Sequence, residues 1–404
     1  MYAQARFKSV KRWYHFGVSV LANLRYGFPS RKIRCICVTG TDGKTTTSTT
    51  IYALLKEKDN KVGLVSTVGA YLGNEAIDTG FHVTSPDPFP LQKMIRKAVD
   101  MGLTTLVLEV TSHGIYQFRV WGIQPDIAVL TNITHEHLDY HGSYEEYARV
   151  KLSFLKKARK IIVHSAGQEL DLVKSELSNS MDRCVWYDKS DLAQYSQSAQ
   201  HAIQSRFPEA YNQDNCAAAL CAVSHENLSG QQIAHALQNF PALPGRMEEI
   251  ANKKGVHAIV DFAHTPNALE QALKSLRKRF PKSKIIAVFG SAGLRDVEKR
   301  PLMGKAVSEY ADEAVFTAED PRTEDVNVII RQMKEGITKN RGHMFEIIDR
   351  KKAIEFAVSR VQKGDVLAVF GKGHEKSLNL DGVHEIPWSD QEVLKKALET
   401  RTAA

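Results

Sequence analysis

No apolar run in this 404-residue chain approaches the ~20 residues that a helix needs to cross a bilayer, which argues against a helical membrane protein. The nearest candidate, Phe16-Gly17-Val18-Ser19-Val20-Leu21, follows Lys8, Lys11 and Arg12 and is broken by Asn23 and Arg25, with no small-residue cleavage site after it. The expectation for 1–32 is a short basic amphipathic segment packed on the body of the protein, with weak contact to a membrane surface as the alternative. Cysteine is sparse too. The five, Cys35, Cys37, Cys184, Cys216 and Cys221, are odd in number and have neither zinc-site nor disulfide-framework spacing, which fits a reducing cytoplasm. No basic stripe with interleaved aromatics is present, so nucleic acid is not an expected partner. Internal repeats at solenoid periods and low-complexity tracts are also missing.

What is there is enough hydrophobic composition, 43%, for real cores, and enough length for two or three domains. The formal charge of +8 is spread along the chain with local clusters at Lys8 to Arg12 and Lys274 to Lys284, which suits anionic ligands such as nucleotides.

The most informative stretch is Val38-Thr39-Gly40-Thr41-Asp42-Gly43-Lys44-Thr45-Thr46-Thr47. An apolar run ends at glycines and turns into a helix-like segment, which aims backbone N–H groups and the positive helix end at one spot. A phosphate fits there. Lys44 can reach the outer phosphates and the Thr45 hydroxyl can ligate Mg²⁺, as in a P-loop, although two residues rather than four separate Gly40 from Gly43.

Around this loop, Ile36–Val38, Val62–Val65, Thr105–Val110 and Ile127–Leu130 alternate with helical stretches from Thr45 and near Leu91–Met101. That is the rhythm of βαβ units, so functional residues belong at the carboxyl ends of strands. Glu109, Ser112 and His113 follow one such run; Asn132, His135 and His137 follow another. Ser143 and Glu146 read as a capping box on the next helix. The segment from Ile161 to Ser205 is polar and weakly patterned. Pro241-Ala242-Leu243-Pro244-Gly245-Arg246 supplies a boundary, and a second α/β series follows: Ala258–Val260, Ile285–Phe289, Glu313–Phe316 and Val366–Phe370, with helices from Thr265 and near Leu302. The expected architecture is α/β, a central P-loop ATPase-like parallel-sheet domain over 33–243 followed by a C-terminal Rossmann-like α/β domain over 244–404. Polar loops at both sets of strand ends imply a cleft that closes over substrate and excludes water.

Together these motifs resemble the Mur ligase superfamily, and within it the MurE-type tripeptide synthetases, from about Ile33 to the C-terminus. Gly40-Thr41-Asp42-Gly43-Lys44-Thr45-Thr46-Thr47 looks like the family's short P-loop with Asp42 where Asn is usual. Glu109-Val110-Thr111-Ser112-His113 and His137-Leu138-Asp139-Tyr140-His141-Gly142 look like its magnesium and substrate segments, and Lys151, fourteen positions after His137, falls where these ligases carry a carbamylated lysine. The resemblance implies Lys44, Lys151, His137 and Glu109 as catalytic residues, with Thr45, Glu109, His137 and carbamylated Lys151 around Mg²⁺. It implies ATP contacts from Gly40, Thr41, Asp42, Gly43, Thr46, Asn212, Asn215, Arg246, Asp261 and His264. Acceptor contacts are implied at Thr84, Ser85, Thr111, Ser112, Gln117 and Arg119, and amino-acid contacts at Arg295, Asp320, Arg322, Gly371 and Glu375.

The reaction so implied is ATP-dependent amide formation through an acyl phosphate, joining a free amino acid to a peptidoglycan precursor peptide, by a cytoplasmic monomer. Arg322 and Arg295 suit the distal carboxylate of a diaminopimelate-like side chain. Asp320, where the family's diaminopimelate enzymes have Asn, pulls towards a cationic group, and Gly290-Ser291-Ala292-Gly293-Leu294 lacks an acidic residue usual in that loop. Only about 32 residues precede the first strand, too few for the UDP-binding domain usual in MurE-type enzymes, so weak binding of the free nucleotide-sugar acceptor is expected. The alternatives are a related ligase of poly-amino-acid, cyanophycin-like or folylpolyglutamate type, a non-catalytic ATP-binding module, and a P-loop nucleoside-triphosphatase acting on nucleic acid.

Overall fold

A computed structural model describes residues 2–77, 85–134, 136, 138–167, 169–338 and 342–400. The chain forms two compact units, one of residues 1–134 and 143–241, the other of residues 135–142 and 242–404.

The first unit is built on eight strands: β1 Arg34–Thr39, β2 Val62–Ser66, β3 Gly69–Leu72, β4 Glu75–Ile77, β5 Thr105–Glu109, β6 Ile127–Leu130, β7 Lys160–His164 and β8 Cys184–Tyr187. Their order across the sheet is β4-β3-β2-β5-β1-β6-β7-β8, with β2 through β8 parallel and β3 and β4 antiparallel at one edge. β1 lies between β5 and β6, and residues Cys35 to Thr39 are all buried, as expected of a central parallel strand covered on both faces. Cys35 and Cys37 pack on one face of the sheet with Leu106, Leu108, Leu91 and Ile95, so these thiols are core residues. Burial pushes the Cys35 thiol up to about 12. β7, β8 and the helix Leu170–Glu176 arise from the segment whose pattern reads as polar and weak. β8 sits at the sheet edge and Val185 is exposed, so its alternation never reaches the strength of an interior strand.

The N-terminal helix Tyr2–Tyr26 packs on this unit. Ser19 Oγ donates to the Phe118 carbonyl at 2.8 Å, Asn23 Nδ2 donates to that of Trp121 at 2.9 Å, and Phe16 meets the Phe118 and Trp121 rings edge-on. Among the described residues no helix is long and apolar enough to cross a membrane.

The second unit has β9 Glu248–Ile250, β10 His257–Asp261, β11 Ile285–Phe289, β12 Glu313–Phe316, β13 His343–Glu346 and β14 Val366–Phe370 in the order β13-β12-β11-β14-β10-β9. All neighbours are parallel except β9, and a hairpin of β15 Ser377–Asn379 and β16 Glu385–Pro387 follows. A buried ion pair fastens the strand ends. Arg350 and Asp390, whose side chains are both 0% exposed, meet at 2.6 Å, and Arg350 also donates to the carbonyls of Phe370 at 2.8 Å, the last residue of β14, and Ala318 at 3.2 Å, just past the end of β12. Removing one partner of such a pair leaves an uncompensated buried charge. Asp390→Asn is therefore expected to lower stability by about 3–5 kcal/mol in urea denaturation, whereas Asp100→Asn, at an exposed pair with Arg96, leaves the urea midpoint unchanged.

Candidate active site

β1 ends at Thr39, and the loop Gly40 to Gly43 returns the chain into the helix Lys44–Lys58. Gly43 stands at the N-cap with φ 80°, where it offers no side-chain cap, and a Cβ there would overlap the Asn215 carboxamide. A Cβ on Gly40 would overlap the Thr131 hydroxyl. The two glycines thus let the loop lie against its neighbours and leave the first turn of the helix open to an anion. Neighbouring strands pin the loop: Thr41 N–H donates to the Asn132 carbonyl and Asp42 N–H to the Asn132 carboxamide oxygen, each at 2.9 Å. Lys44 Nζ donates to the carbonyls of Gly40 at 3.1 Å and Thr41 at 2.7 Å.

Parallel pairing of β5 with β1 brings Glu109 beside this loop. The carboxylate is buried, and its described partners are the Thr45 hydroxyl, which donates at 3.1 and 3.2 Å, and the Thr67 N–H at 2.9 Å. Neither is a cation. A buried carboxylate sharing a hydroxyl, beside an anion-ready helix end, is a hard-oxygen donor set of the kind Mg²⁺ takes together with water and phosphate. No group of three or more His, Cys, Asp or Glu side chains suited to a metal occurs among the described residues.

Lys151 comes from the helix Tyr144–Leu155, whose N-cap Ser143 accepts from Glu146 N–H at 3.2 Å, one arm of the expected capping box. Lys151 is 1% exposed; its Nζ donates to the Gly40 carbonyl at 2.7 Å and lies 4.6 Å from the centre of the Tyr147 ring. A second relay approaches from the helix Ala210–Ala222: Asn212 Nδ2 donates to Glu209 at 3.0 Å, Asn215 Nδ2 to Asn212 at 3.2 Å, and Thr47 Oγ1 to Asn215 at 3.4 Å. Beyond β5, Ser85 and Thr111 hydroxyls pair at 3.1 Å, and Arg119 donates to the Ser85 carbonyl and to Gln117, each at 2.9 Å. Ser112, buried, opens the short helix Ser112–Tyr116. The first unit therefore gathers Gly40 to Thr46, Glu109 and Lys151 at one set of strand ends, as it does Asn212 and Asn215. Thr84 and His137 lie outside the described residues.

In the second unit the strand ends also carry the polar groups. Asp261 closes β10, and its carboxylate accepts from Met247 N–H at 2.7 Å and Ala263 N–H at 2.9 Å; the Arg246 guanidinium lies over the Phe262 ring at 4.7 Å. His264 Nε2 is 3.7 Å from Glu136, and Lys299 Nζ is 3.5 Å from Glu136 and donates to the His264 carbonyl at 2.9 Å. Arg295 is exposed, while Arg322, at φ 55°, donates to the Gly293 carbonyl. Asp320 is held by Lys372, whose Nζ lies 2.9 Å from both its oxygens and 2.5 Å from Glu375. The cation towards which Asp320 was expected to pull is thus supplied by the protein itself.

Residues 38–223 match the Mur ligase middle domain and residues 245–373 the Mur ligase glutamate ligase domain. A UDP-N-acetylmuramoyl-L-alanyl-D-glutamate--2,6-diaminopimelate ligase of Geobacillus thermodenitrificans is 35% identical over 408 residues, covering 95% of this chain and 82% of the relative. The chain belongs to the Mur ligase family. A solved structure of a ligase bearing the same name is 30% identical and superposes with a TM-score of 0.57, covering 91% of this chain and 78% of that one. The MurF ligase of Thermotoga maritima, solved in complex with ADP, shares the fold at 22% identity, with a TM-score of 0.63 over 95% of this chain and 85% of that one.

Two residues of this Mur ligase escape motif reading. Lys372 sits inside Gly371-Lys372-Gly373, where a sequence cannot show that the side chain turns inward. Glu319 is buried between Gly290 and Gly371, at either of which a Cβ would run into it or its backbone, and its Oε2 has no hydrogen-bond partner among the described residues. Burial pushes its carboxyl from 4.5 up to about 8, against the pull of Lys299, Arg350 and Lys372 and with a push from Asp320. Because the folded-state value is the higher, protonated Glu319 favours the native state. Its contribution is complete below 4.5 and is lost as pH rises through about 8. Glu319→Gln is expected to remove that loss, so the gap in thermal stability between variant and wild type moves in the variant's favour from roughly pH 5 to 9; a parallel pair of pH curves would contradict the assignment.

Proposed function

We propose that this protein is an ATP-dependent ligase that forms an amide bond between a peptidoglycan precursor peptide and a diaminopimelate-like amino acid. The observation that carries this reading is the buried Glu109 carboxylate sharing the Thr45 hydroxyl beside the Gly40 to Lys44 loop, in a chain 35% identical to a diaminopimelate ligase along 95% of its length. In the first step a carboxylate oxygen of the acceptor attacks the γ-phosphorus of ATP, the bridging P–O bond to ADP breaks, and an acyl phosphate forms. Lys44 turns from the loop carbonyls to the phosphates, and the first-turn N–H groups hold phosphate oxygens. When bound, Mg²⁺ would be held by Thr45 and Glu109 and would supply neutralising charge to the phosphate oxygens. Asn212 and Asn215 in the first unit, and Arg246, Asp261 and His264 in the second, serve the nucleotide. Ser85, Thr111, Ser112, Gln117 and Arg119, with Thr84, position the acceptor. In the second step the amine of the incoming amino acid attacks the acyl carbon and phosphate leaves. Arg295 and Arg322 receive the distal carboxylate of that amino acid, with Gly371 and Glu375 beside it.

Lys151 acts as its carbamate. An ammonium beside a divalent cation is repelled, whereas captured CO₂ turns the same side chain into an anion that can orient the metal with His137. Its burial and its reach to the Gly40 carbonyl support this reading. The protein works without a nucleic-acid partner and as a monomer in the cytoplasm.

The reading is tested by amino-acid-dependent phosphate release with ATP, Mg²⁺ and UDP-N-acetylmuramoyl-L-alanyl-D-glutamate as acceptor. Release should require meso-diaminopimelate or a close analogue and fall about 10²–10³-fold in Lys44→Ala; release that ignores the amino acid would refute it. Lys151→Ala should lose activity by a similar factor of about 10² and recover part of it when formate or acetate is added. Wild-type activity indifferent to removal of CO₂ and bicarbonate would rule out the carbamate.

A further inference from the structure

At the strand ends of the second unit a buried lysine lies between two carboxylates. Lys372 is 1% exposed and lies 2.9 Å from each oxygen of Asp320 and 2.5 Å from Glu375 Oε2. The backbone is shaped to deliver it: Gly371 at φ 109° and Gly373 at φ 51° flank it, and a Cβ at either would meet Glu319 or Phe262. Asp320, itself at φ 42°, also accepts from Asn379 N–H at 2.9 Å, so its carboxylate joins the loop after β12, the Gly371 to Glu375 loop and β15. The other cations near the loop after β12 have different partners: Arg350 is bound to Asp390, and Arg322 donates to the Gly293 carbonyl. Lys372 is the cation in direct contact with both Asp320 oxygens, while Arg350 pulls on that carboxylate from farther away.

We infer that Lys372 determines which amino acid this ligase accepts: by tying down Asp320 and Glu375 it keeps the subsite beside Arg322 suited to a side chain ending in a carboxylate. The inference rests on the ligase reading above and adds to it a specificity residue. Lysine, Asp320 and Glu375 together carry one net negative charge, which the Arg322 and Arg295 guanidiniums outweigh. Without the lysine the two carboxylates balance the two guanidiniums, and a cationic side chain is no longer repelled. With Asp320 replaced by Asn the balance tilts further towards anions. The Asp in place of the Asn usual in diaminopimelate enzymes is then a matched change rather than a change of substrate.

The test compares Lys372→Met, Asp320→Asn and the double variant, measuring kcat/KM for meso-diaminopimelate against L-lysine with ATP and the UDP-linked acceptor. Lys372→Met should lower the diaminopimelate-to-lysine ratio by about tenfold or more, since a unit charge at this range still acts strongly across partly buried protein. Asp320→Asn should raise the ratio by about tenfold, and the double variant, with the wild-type net charge, should return to within about threefold of wild type. Should Lys372→Met fold poorly because two carboxylates lose their cation, the remaining pair still decides, because the double variant must fall below Asp320→Asn. Equal ratios in all folded variants would overturn the role of Lys372. A wild-type protein that joins neither amino acid to the acceptor, supplied at high concentration both as the nucleotide sugar and as the muramoyl dipeptide without UDP, would instead overturn the ligase reading itself.

Discussion

Burying a carboxylate is expensive, and the first unit is arranged around one whose described partners are uncharged. Glu109 ends β5 next to β1, and its partners are a threonine hydroxyl and a backbone N–H. A hard cation bound there would offset the desolvation of that carboxylate. The tight loop makes this possible. Gly43 lets Asn215 approach the turn and leaves the helix Lys44–Lys58 uncapped by any side chain. Any residue with a Cβ at Gly43 would push the asparagine relay away and adopt a left-handed backbone that only glycine takes cheaply.

The second unit solves a different problem, holding several charges of both signs at the ends of β10, β12 and β14 without leaving them unmatched. Arg350 and Asp390 satisfy one another and two strand-end carbonyls. Lys372 does the same for Asp320 and Glu375. Glu319, whose buried Oε2 has no described hydrogen bond, meets its burial by favouring the protonated form. Charges fixed in this way need no reorganisation to meet a charged ligand.

Much of this was legible in the chain. The runs at Ile36–Val38, Thr105–Val110, Ile285–Phe289 and Val366–Phe370 are largely apolar, and each is an interior parallel strand, two of them ending at Thr39 and Glu109 and two running into Gly290 and Gly371. Gly40 to Thr47 names its own chemistry, and parallel pairing puts Glu109 where the loop needs it. The edge strand β8 was not legible, because Cys184 to Tyr187 is only partly buried and its pattern is diluted. Nor was the partnership of Lys372. Fifty-two positions separate it from Asp320, and only two left-handed glycines and the sheet register bring them together. Asp320 read alone points to a cationic substrate; read with its lysine it does not.

The central claim is that a carboxylate is activated as a mixed anhydride with phosphate. It is tested most directly with acceptor peptide labelled with ¹⁸O in the reacting carboxylate, followed by mass analysis of the phosphate released during amide formation with meso-diaminopimelate. The account predicts that one ¹⁸O passes from each acceptor molecule to phosphate. Unlabelled phosphate, with the label retained in the peptide or lost to water, would contradict it.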